Sequence, residues 1–153
     1  MSVAGDDAVV ENTRSGIIES KDAESAAVEL NVVEIFGPAA GTSSQLVNSG
    51  KVVAPDIAVL GGAGQETAIN RGRIVGDVSL GDGDDTFTFA RGGTVDGEVF
   101  AGSGNDVIHV ENGSGNNRVA DFTAGDTNDA VDVSAFFSSF DQVRATLDRL
   151  AMT

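Results

Sequence analysis

Short runs in which apolar and polar residues alternate recur along the chain, and glycine-containing turns separate them. In Thr86–Phe89 and Val107–Val110 the second and fourth residues are apolar, and this period of two is typical of a β-strand with one buried face. Residues 57–60, 77–80 and 98–100 are similar pieces. Because glycine is unfavourable inside helices, the glycine density of this region excludes long helices. The pattern therefore predicts an all-β protein built from many short strands.

The strands and turns form an internal repeat. Residues 72–85 (GRIVGDVSLGDGDD) align with residues 93–106 (GTVDGEVFAGSGND) at an offset of 21, and the glycines, one valine and the closing aspartate are identical. A G-x-G-x-acid turn, as in residues 81–85, alternates with a shorter turn that ends in glycine, as in residues 48–50. A period of about 20 residues with two or three short strands is typical of a parallel β-solenoid.

We therefore expect a right-handed parallel β-solenoid, of the β-roll or β-helix type. An antiparallel sandwich would also contain short, evenly spaced strands, but it would not place identical turns in phase. Because each coil stacks on the last, like residues should lie above one another. The predicted inward ladders are Phe87 with Ile108, Phe89 with Val110, and Val59 with Val78 and Val99; the predicted outward positions are Thr86, Thr88, Val107 and His109.

The composition excludes several classes of binding partner. The net charge is −15, from 24 acidic residues and nine Lys and Arg, and such a surface repels nucleic acid and anionic membranes but attracts cations. No apolar run is long enough to cross a bilayer, so membrane insertion is not expected. The absence of cysteine excludes disulfides and thiolate metal sites.

The G-x-G-x-acid turns have the chemistry of a calcium site. Glycines let the backbone curl so that carbonyl oxygens point into one small space, and the acid adds a carboxylate. Stacked turns would bring oxygen ligands from two coils together, and Ca²⁺ takes about six to eight oxygens with tolerant geometry. Polar turns without an ion are the alternative, but two copies in phase favour calcium. The predicted ligands are Gly62, Gly64, Glu66, Gly81, Gly83, Asp85, Gly102, Gly104 and Asp106.

These motifs resemble a known family. LGDGDDTFTF (residues 80–89) and AGSGNDVIHV (residues 101–110) resemble the GGxGxDxUx nonapeptide of the RTX, or hemolysin-type, calcium-binding repeat, and GGAGQETAI (residues 61–69) resembles it with Glu66 in place of Asp. Residues 112–117 are a decayed copy, and residues 119–136 are similar to the segment that follows the repeats in serralysin-type C-terminal domains. The N-terminal coils are similar to those of bacterial surface β-helix proteins.

The resemblance implies calcium binding, folding outside the cell and type I export, and therefore a secreted or cell-surface bacterial protein. The spacing departs from the family, because the turns recur after 19 and 21 residues rather than after two nonapeptides. This indicates a wider β-helix with one row of calcium-type turns, and the copy at residues 112–117 would lie on the opposite edge. Relatives continue beyond such a C-terminus, so we expect a fragment of a longer protein.

The chain is interpreted as one structural domain in three parts. Residues 1–46 form one or more irregular first coils with a loop at residues 37–44, and residues 47–122 form the solenoid with the calcium-type turns. Residues 123–153 contain an acidic loop and a helix that caps the open end of the solenoid. That helix would begin at the capping box Ser139–Gln142 and place Phe140, Val143, Leu147 and Leu150 on one face.

Other polar residues have less specific interpretations. His109 is expected to be a surface residue, and Asp82 and Asp84 to be solvated. Two interpretations are open for Arg71, Arg73 and Arg91. They either form a basic strip that binds an acidic glycan, or they offset part of the negative charge of the surface. Asp121, Asp126, Asp129 and Asp132 belong either to a further calcium site or to a plain loop.

The leading functional hypothesis is a non-enzymatic, calcium-stabilised structural module, with calcium ions and other domains of a parent protein as its partners. One alternative is a glycan-binding module of a polysaccharide lyase or epimerase, or a small lyase itself. A lyase would need a base facing a calcium-lined groove, and a chain with no Tyr and one His offers few candidates. The other alternative is a self-associating adhesin segment.

Overall fold

A computed structural model describes residues 2–3, 8–22, 25–30, 43–122, 129–139 and 141–144 of the chain. Within them are thirteen short strands and one helical turn, at residues 141–144. The strands are β1 Ser2–Val3, β2 Ala8–Asn12, β3 Ile17–Glu19, β4 Val28–Leu30, β5 Ser43–Asn48, β6 Lys51–Leu60, β7 Gln65–Asn70, β8 Arg73–Ser79, β9 Thr86–Phe89, β10 Thr94–Asp96, β11 Val99–Phe100, β12 Val107–Val110 and β13 Ala130–Asp132. None of the described helical residues forms a span long and apolar enough to cross a membrane.

The strands form two parallel sheets. Sheet A contains β1, β3, β4, β6, β8, β10 and β11, and sheet B runs in the order β13-β12-β9-β7-β5-β2. From β5 to β12 the chain passes alternately through sheet B and sheet A, and strands of the same sheet in successive coils pair in parallel; β10 and β11 lie on one pass through sheet A and both pair with β8. The result is about four turns of β-solenoid, so the predicted fold class is confirmed.

The predicted inward ladders are also confirmed by the strand register. Phe87 pairs with Ile108 and Phe89 with Val110, and the two phenylalanine rings pack edge to face at a centroid distance of 4.7 Å. In sheet A, Val59, Val78 and Val99 form a second ladder, and all three side chains are buried. The hydrophobic core therefore lies between the two sheets and runs along the solenoid axis.

The two kinds of turn occupy opposite edges of the solenoid. The G-x-G-x-acid turns lead from sheet A to sheet B and stack in one row, where the Asp82 N–H donates to the Gly62 carbonyl over 2.8 Å and the Ser103 N–H to the Gly81 carbonyl over 2.9 Å. The decayed copy at residues 112–117 belongs to the other edge, since the Gly92 N–H donates to the carbonyl of Gly113. The wider β-helix with one row of such turns is therefore the observed arrangement.

A ladder of buried asparagines supports the edge opposite the G-x-G-x-acid turns, and the sequence pattern did not predict it. Asn12 Nδ2 donates to Asn48 Oδ1 over 2.9 Å, and Asn48 Nδ2 donates to Asn70 Oδ1 over 2.9 Å. Asn70 Nδ2 in turn donates to the backbone carbonyl of Thr94. The next residue in register is Phe89, so the ladder ends there and aromatic packing replaces it.

The two ends of the chain agree only in part with the prediction. The predicted loop at residues 37–44 is wrong at its end, because Ser43 and Ser44 begin β5 and pair with Gln65 and Glu66; alternation with buried Leu46 outweighs their polar character. A helical turn follows Ser139, but the described Gln142 Oε1 contacts are with the backbone N–H and hydroxyl of Ser138. Phe140, Leu147, Leu150 and residues 37–42 lie outside the described residues.

Candidate metal centre

One carboxylate per coil turns inward where a G-x-G-x-acid turn enters sheet B. Glu66, Asp85 and Asp106 are 0–1% exposed. Each acid lies two residues before an inward strand residue, for example Asp85 before Phe87, so the period of two places it on the buried face. Asp129 follows Asp106 in the same column. We call Glu66, Asp85, Asp106 and Asp129 the carboxylate stack.

One oxygen of each aspartate in the stack is satisfied by the backbone of the preceding coil. Asp85 Oδ1 accepts the N–H of Glu66 over 2.7 Å, Asp106 Oδ1 accepts the N–H of Asp85 over 2.9 Å, and Asp129 Oδ1 accepts the N–H of Asp106 over 3.1 Å. The stack therefore ties consecutive coils together at this edge.

The second oxygens of two of these aspartates are left unsatisfied. Asp85 Oδ2 and Asp106 Oδ2 are buried and, among the described atoms, have no hydrogen-bond partner. The hydroxyl of Ser44, which pairs with Glu66 at the start of the column, is also buried without a partner in the described part of the chain. A buried polar atom without a partner is costly, so the stack favours a bound proton or cation.

Burial changes the acidity of the stack. It raises the pKa of Asp85 from 3.8 to about 7; the N–H of Glu66 opposes the rise, and the charges of Glu66 and Asp106 and the contact of the Asp85 carboxyl group with that of Glu66 add to it. Burial also raises the pKa of Asp106, against the N–H of Asp85 and with help from the charges of Asp129, Asp121 and Asp84. Without a cation, the stack therefore holds protons at pH values where an exposed carboxylate is ionised.

The glycines of these turns are required by close backbone contact. Gly83 has a φ of +133°, and a Cβ there would lie 1.6 Å from the Gly64 carbonyl oxygen. Gly104 has a φ of +148°, and its Cβ would lie 1.9 Å from the carbonyl oxygen of Gly83. The carbonyl oxygens of one turn therefore abut the next turn, beside the carboxylate stack.

The atoms that could bind a metal ion at this edge are oxygens, and oxygen ligands are the ones that hard cations prefer. Within the described ranges, no three or more His, Cys, Asp or Glu side chains converge as a metal-binding group. An ion here would therefore need backbone carbonyl ligands besides the carboxylates. The carbonyls of Gly62 and Gly81 already accept one hydrogen bond each, and a carbonyl oxygen retains a second lone pair.

Asp82 and Asp84 are exposed, as expected, but Asp84 and Asp121 also hydrogen-bond to a neighbouring coil. Asp84 Oδ1 accepts the N–H and the side-chain amide of Asn105, and the side-chain bond, then the backbone bond, lowers the pKa of Asp84. Asp121 accepts the N–H groups of Ala101 and Gly102 through its two oxygens. Asp82 is exposed, and Asp126 lies outside the described residues.

The three arginines of the expected basic strip are separated by the fold. Arg73 lies in sheet A, where its guanidinium pairs with Asp96. Arg71 lies beyond the end of β7 and lines a cavity on the outer face of sheet B. Arg91 lies in the next turn, where its backbone N–H donates to Glu111.

Two members of the column were not among the predicted ligands of the stacked turns: Ser44, because it falls in the predicted loop, and Asp129, which the sequence assigned either to a further calcium site or to a plain loop. The one available signal was their distance from neighbouring members, 22 and 23 residues. Comparison of the chain with protein-family models, with curated proteins and with solved structures finds no match. The resemblance to the RTX repeat family therefore depends on the quoted motifs and stays a prediction.

Proposed function

We propose that this chain is a calcium-binding, non-enzymatic structural module of a secreted or cell-surface bacterial protein, stabilised by Ca²⁺ outside the cell. One observation supports it above the others: Asp85 Oδ2 and Asp106 Oδ2 are buried in consecutive coils, and neither has a hydrogen-bond partner among the described atoms. Two buried carboxylate oxygens in adjacent coils, both without a hydrogen-bond donor, favour a bound cation.

The electrostatics of the stack support a cation. Neighbouring strands of a sheet lie about 4.8 Å apart, so ionised Asp85 and Asp106 would repel one another in a water-poor environment. A bound Ca²⁺ would supply the positive charge that neutralises them. The stacked glycine turns would supply carbonyl oxygens next to the carboxylates, which is the mixed ligand set that Ca²⁺ accepts.

The test is a calcium titration of chelator-stripped protein, followed by far-UV circular dichroism and thermal melting. A ligand that binds only the folded state stabilises it by about 2.7 kcal/mol at 100 times its Kd, so the melting temperature should rise steeply in millimolar Ca²⁺. Mg²⁺ should have a much smaller effect, because it requires a stricter octahedron. A protein that is folded in chelator and indifferent to Ca²⁺ would contradict the proposal.

A further inference from the structure

A second polar site lies away from the carboxylate stack, on the outer face of sheet B. It is a cavity of about 360 Å³, at the small end of the range of about 300–1,000 Å³ for ligand pockets. Its polar lining consists of Arg71, Thr88, His109, Glu111, Asp132 and Ser134.

A histidine–aspartate pair forms part of the wall of this cavity. His109 Nδ1 lies 2.9 Å from Asp132 Oδ2, and Asp132 Oδ1 accepts the backbone N–H of Ser134 over 2.8 Å. The backbone and side chain of Ser134, and then His109, lower the pKa of Asp132 to about 2. An ionised partner at Nδ1 holds the proton on that nitrogen, so Nε2 is the nitrogen that this pair leaves for a ligand. The two side chains are 42% and 38% exposed, so a ligand can reach them.

The register of sheet B brings the residues that line the cavity together. Thr88, His109 and Asp132 follow one another in a single column of paired residues. Arg71, Ala90 and Glu111 occupy corresponding positions one step further along their coils, since each donates its N–H to the coil before it. Arg71 and Glu111 line the cavity together with the column of Thr88, His109 and Asp132.

We propose that this cavity binds a small hydroxylated carboxylate of the sugar-acid class. The guanidinium fork of Arg71 matches a carboxylate. Glu111 accepts hydrogen bonds from ligand hydroxyls, and Thr88, Ser134 and His109 Nε2 are further polar groups of the lining. The presence of Glu111 and Asp132, together with the net charge of −15, disfavours ligands with several negative charges. The site shares no residue with the carboxylate stack and does not depend on calcium binding there.

The single histidine of the chain provides a direct readout, because its ring signals in an NMR spectrum need no further assignment. The full chain is titrated with D-galacturonate, and in parallel with galactose, which lacks the carboxylate, and with inorganic phosphate. We expect a saturable shift of the His109 ring signals with galacturonate that galactose and phosphate do not reproduce.

Arg71→Gln should weaken galacturonate binding by about tenfold or more, the loss expected for a charge-assisted pair. The matched control is Arg14→Gln, an exposed arginine in the equivalent turn after β2, which should bind as the wild type does. An amide spectrum unchanged by Arg71→Gln shows that the variant is folded. The proposal is overturned by a shift that does not saturate, by equal binding of galactose or phosphate, or by unchanged binding in the Arg71→Gln protein.

Discussion

Asp85 donates its backbone N–H to Oδ1 of Asp106, one coil further along, over 2.9 Å. Asp85 Oδ1 in turn accepts the N–H of Glu66 over 2.7 Å. Each buried aspartate therefore joins the coil before it, and the column continues through Asp129. The same geometry uses one oxygen of each side chain and leaves Oδ2 of Asp85 and of Asp106 for an ion or a proton.

Asp85→Asn should separate the structural role of this side chain from its charge. The amide oxygen of Asn can still accept the Glu66 N–H, while the negative charge is removed. In chelator at about pH 8 we expect the melting temperature to rise by about 5 °C, which corresponds to about 1–2 kcal/mol in a chain of this size. The additional rise on adding Ca²⁺ should be much smaller than in the wild type. Thermal melting with and without Ca²⁺ measures both effects.

The matched control is Asp82→Asn in the same turn, since Asp82 is exposed. It should leave both the melting temperature in chelator and the calcium response close to those of the wild type. A full calcium response in the Asp85→Asn protein would show that Asp85 is not a ligand.

Stability in chelator should fall as the pH rises from about 4 to about 7. The pKa of folded Asp85 is about 7, above its ordinary 3.8, so in this window the folded state binds more protons than the unfolded state and the free energy of unfolding decreases with pH. The lowered pKa values of Asp84 and Asp132 make the free energy of unfolding increase with pH, but this effect is confined to pH values below about 4. Melting temperatures across this range, in chelator and in excess Ca²⁺, test the sign.

Excess Ca²⁺ should flatten this dependence, because the ion takes the place of the proton. The Asp85→Asn substitution should flatten the pH dependence even when no calcium is present. A melting temperature that stays level or rises with pH in chelator would mean that Asp85 is ionised in the folded state without help from a cation.

Asn48→Ala should destabilise the solenoid equally with and without calcium. Asn48 is buried; it donates to Asn70 Oδ1 and accepts from Asn12 Nδ2 and from the Gly50 N–H. Its removal leaves buried partners unsatisfied, and we expect a loss of about 3 kcal/mol, measured by urea unfolding.

The control for this variant is Asn112→Ala, an exposed asparagine in a turn at the same edge. Its effect should stay within about 0.5 kcal/mol. A loss in Asn48→Ala that Ca²⁺ repairs would mean that the two edges of the solenoid are not independent.

Gly83→Ala should be far more damaging than Gly92→Ala, although both glycines have a positive φ. The φ values are +133° and +83°; a Cβ at Gly83 would lie 1.6 Å from the Gly64 carbonyl oxygen, while nothing lies within 4 Å of one at Gly92. Gly92→Ala should cost about 1–2 kcal/mol of backbone strain. Gly83→Ala should add a steric cost of about 1–3 kcal/mol and reduce the calcium response. Similar losses in the two variants, compared by denaturant unfolding, would argue against the close stacking of the turns.

The sequence by itself determined the fold class, the direction of the strands and the main inward ladders. These depend on local rules: a period of two decides which face of a strand is buried, and in-phase turns bring like residues into register. Phe87 therefore stacks on Ile108, and Asp85 lies one coil from Asp106. The single row of G-x-G-x-acid turns also followed from their spacing.

The tertiary structure alone decided which distant polar residues meet. The Asn12–Asn48 hydrogen bond spans 36 positions, and the intervals along the carboxylate column vary from 19 to 23 residues. The pairing of His109 with Asp132 depends on how β13 joins the edge of sheet B. Coil length changes where loops are inserted, so no fixed period relates these residues. Their neighbours are set by the backbone hydrogen bonds between coils, which local patterns along the chain do not encode.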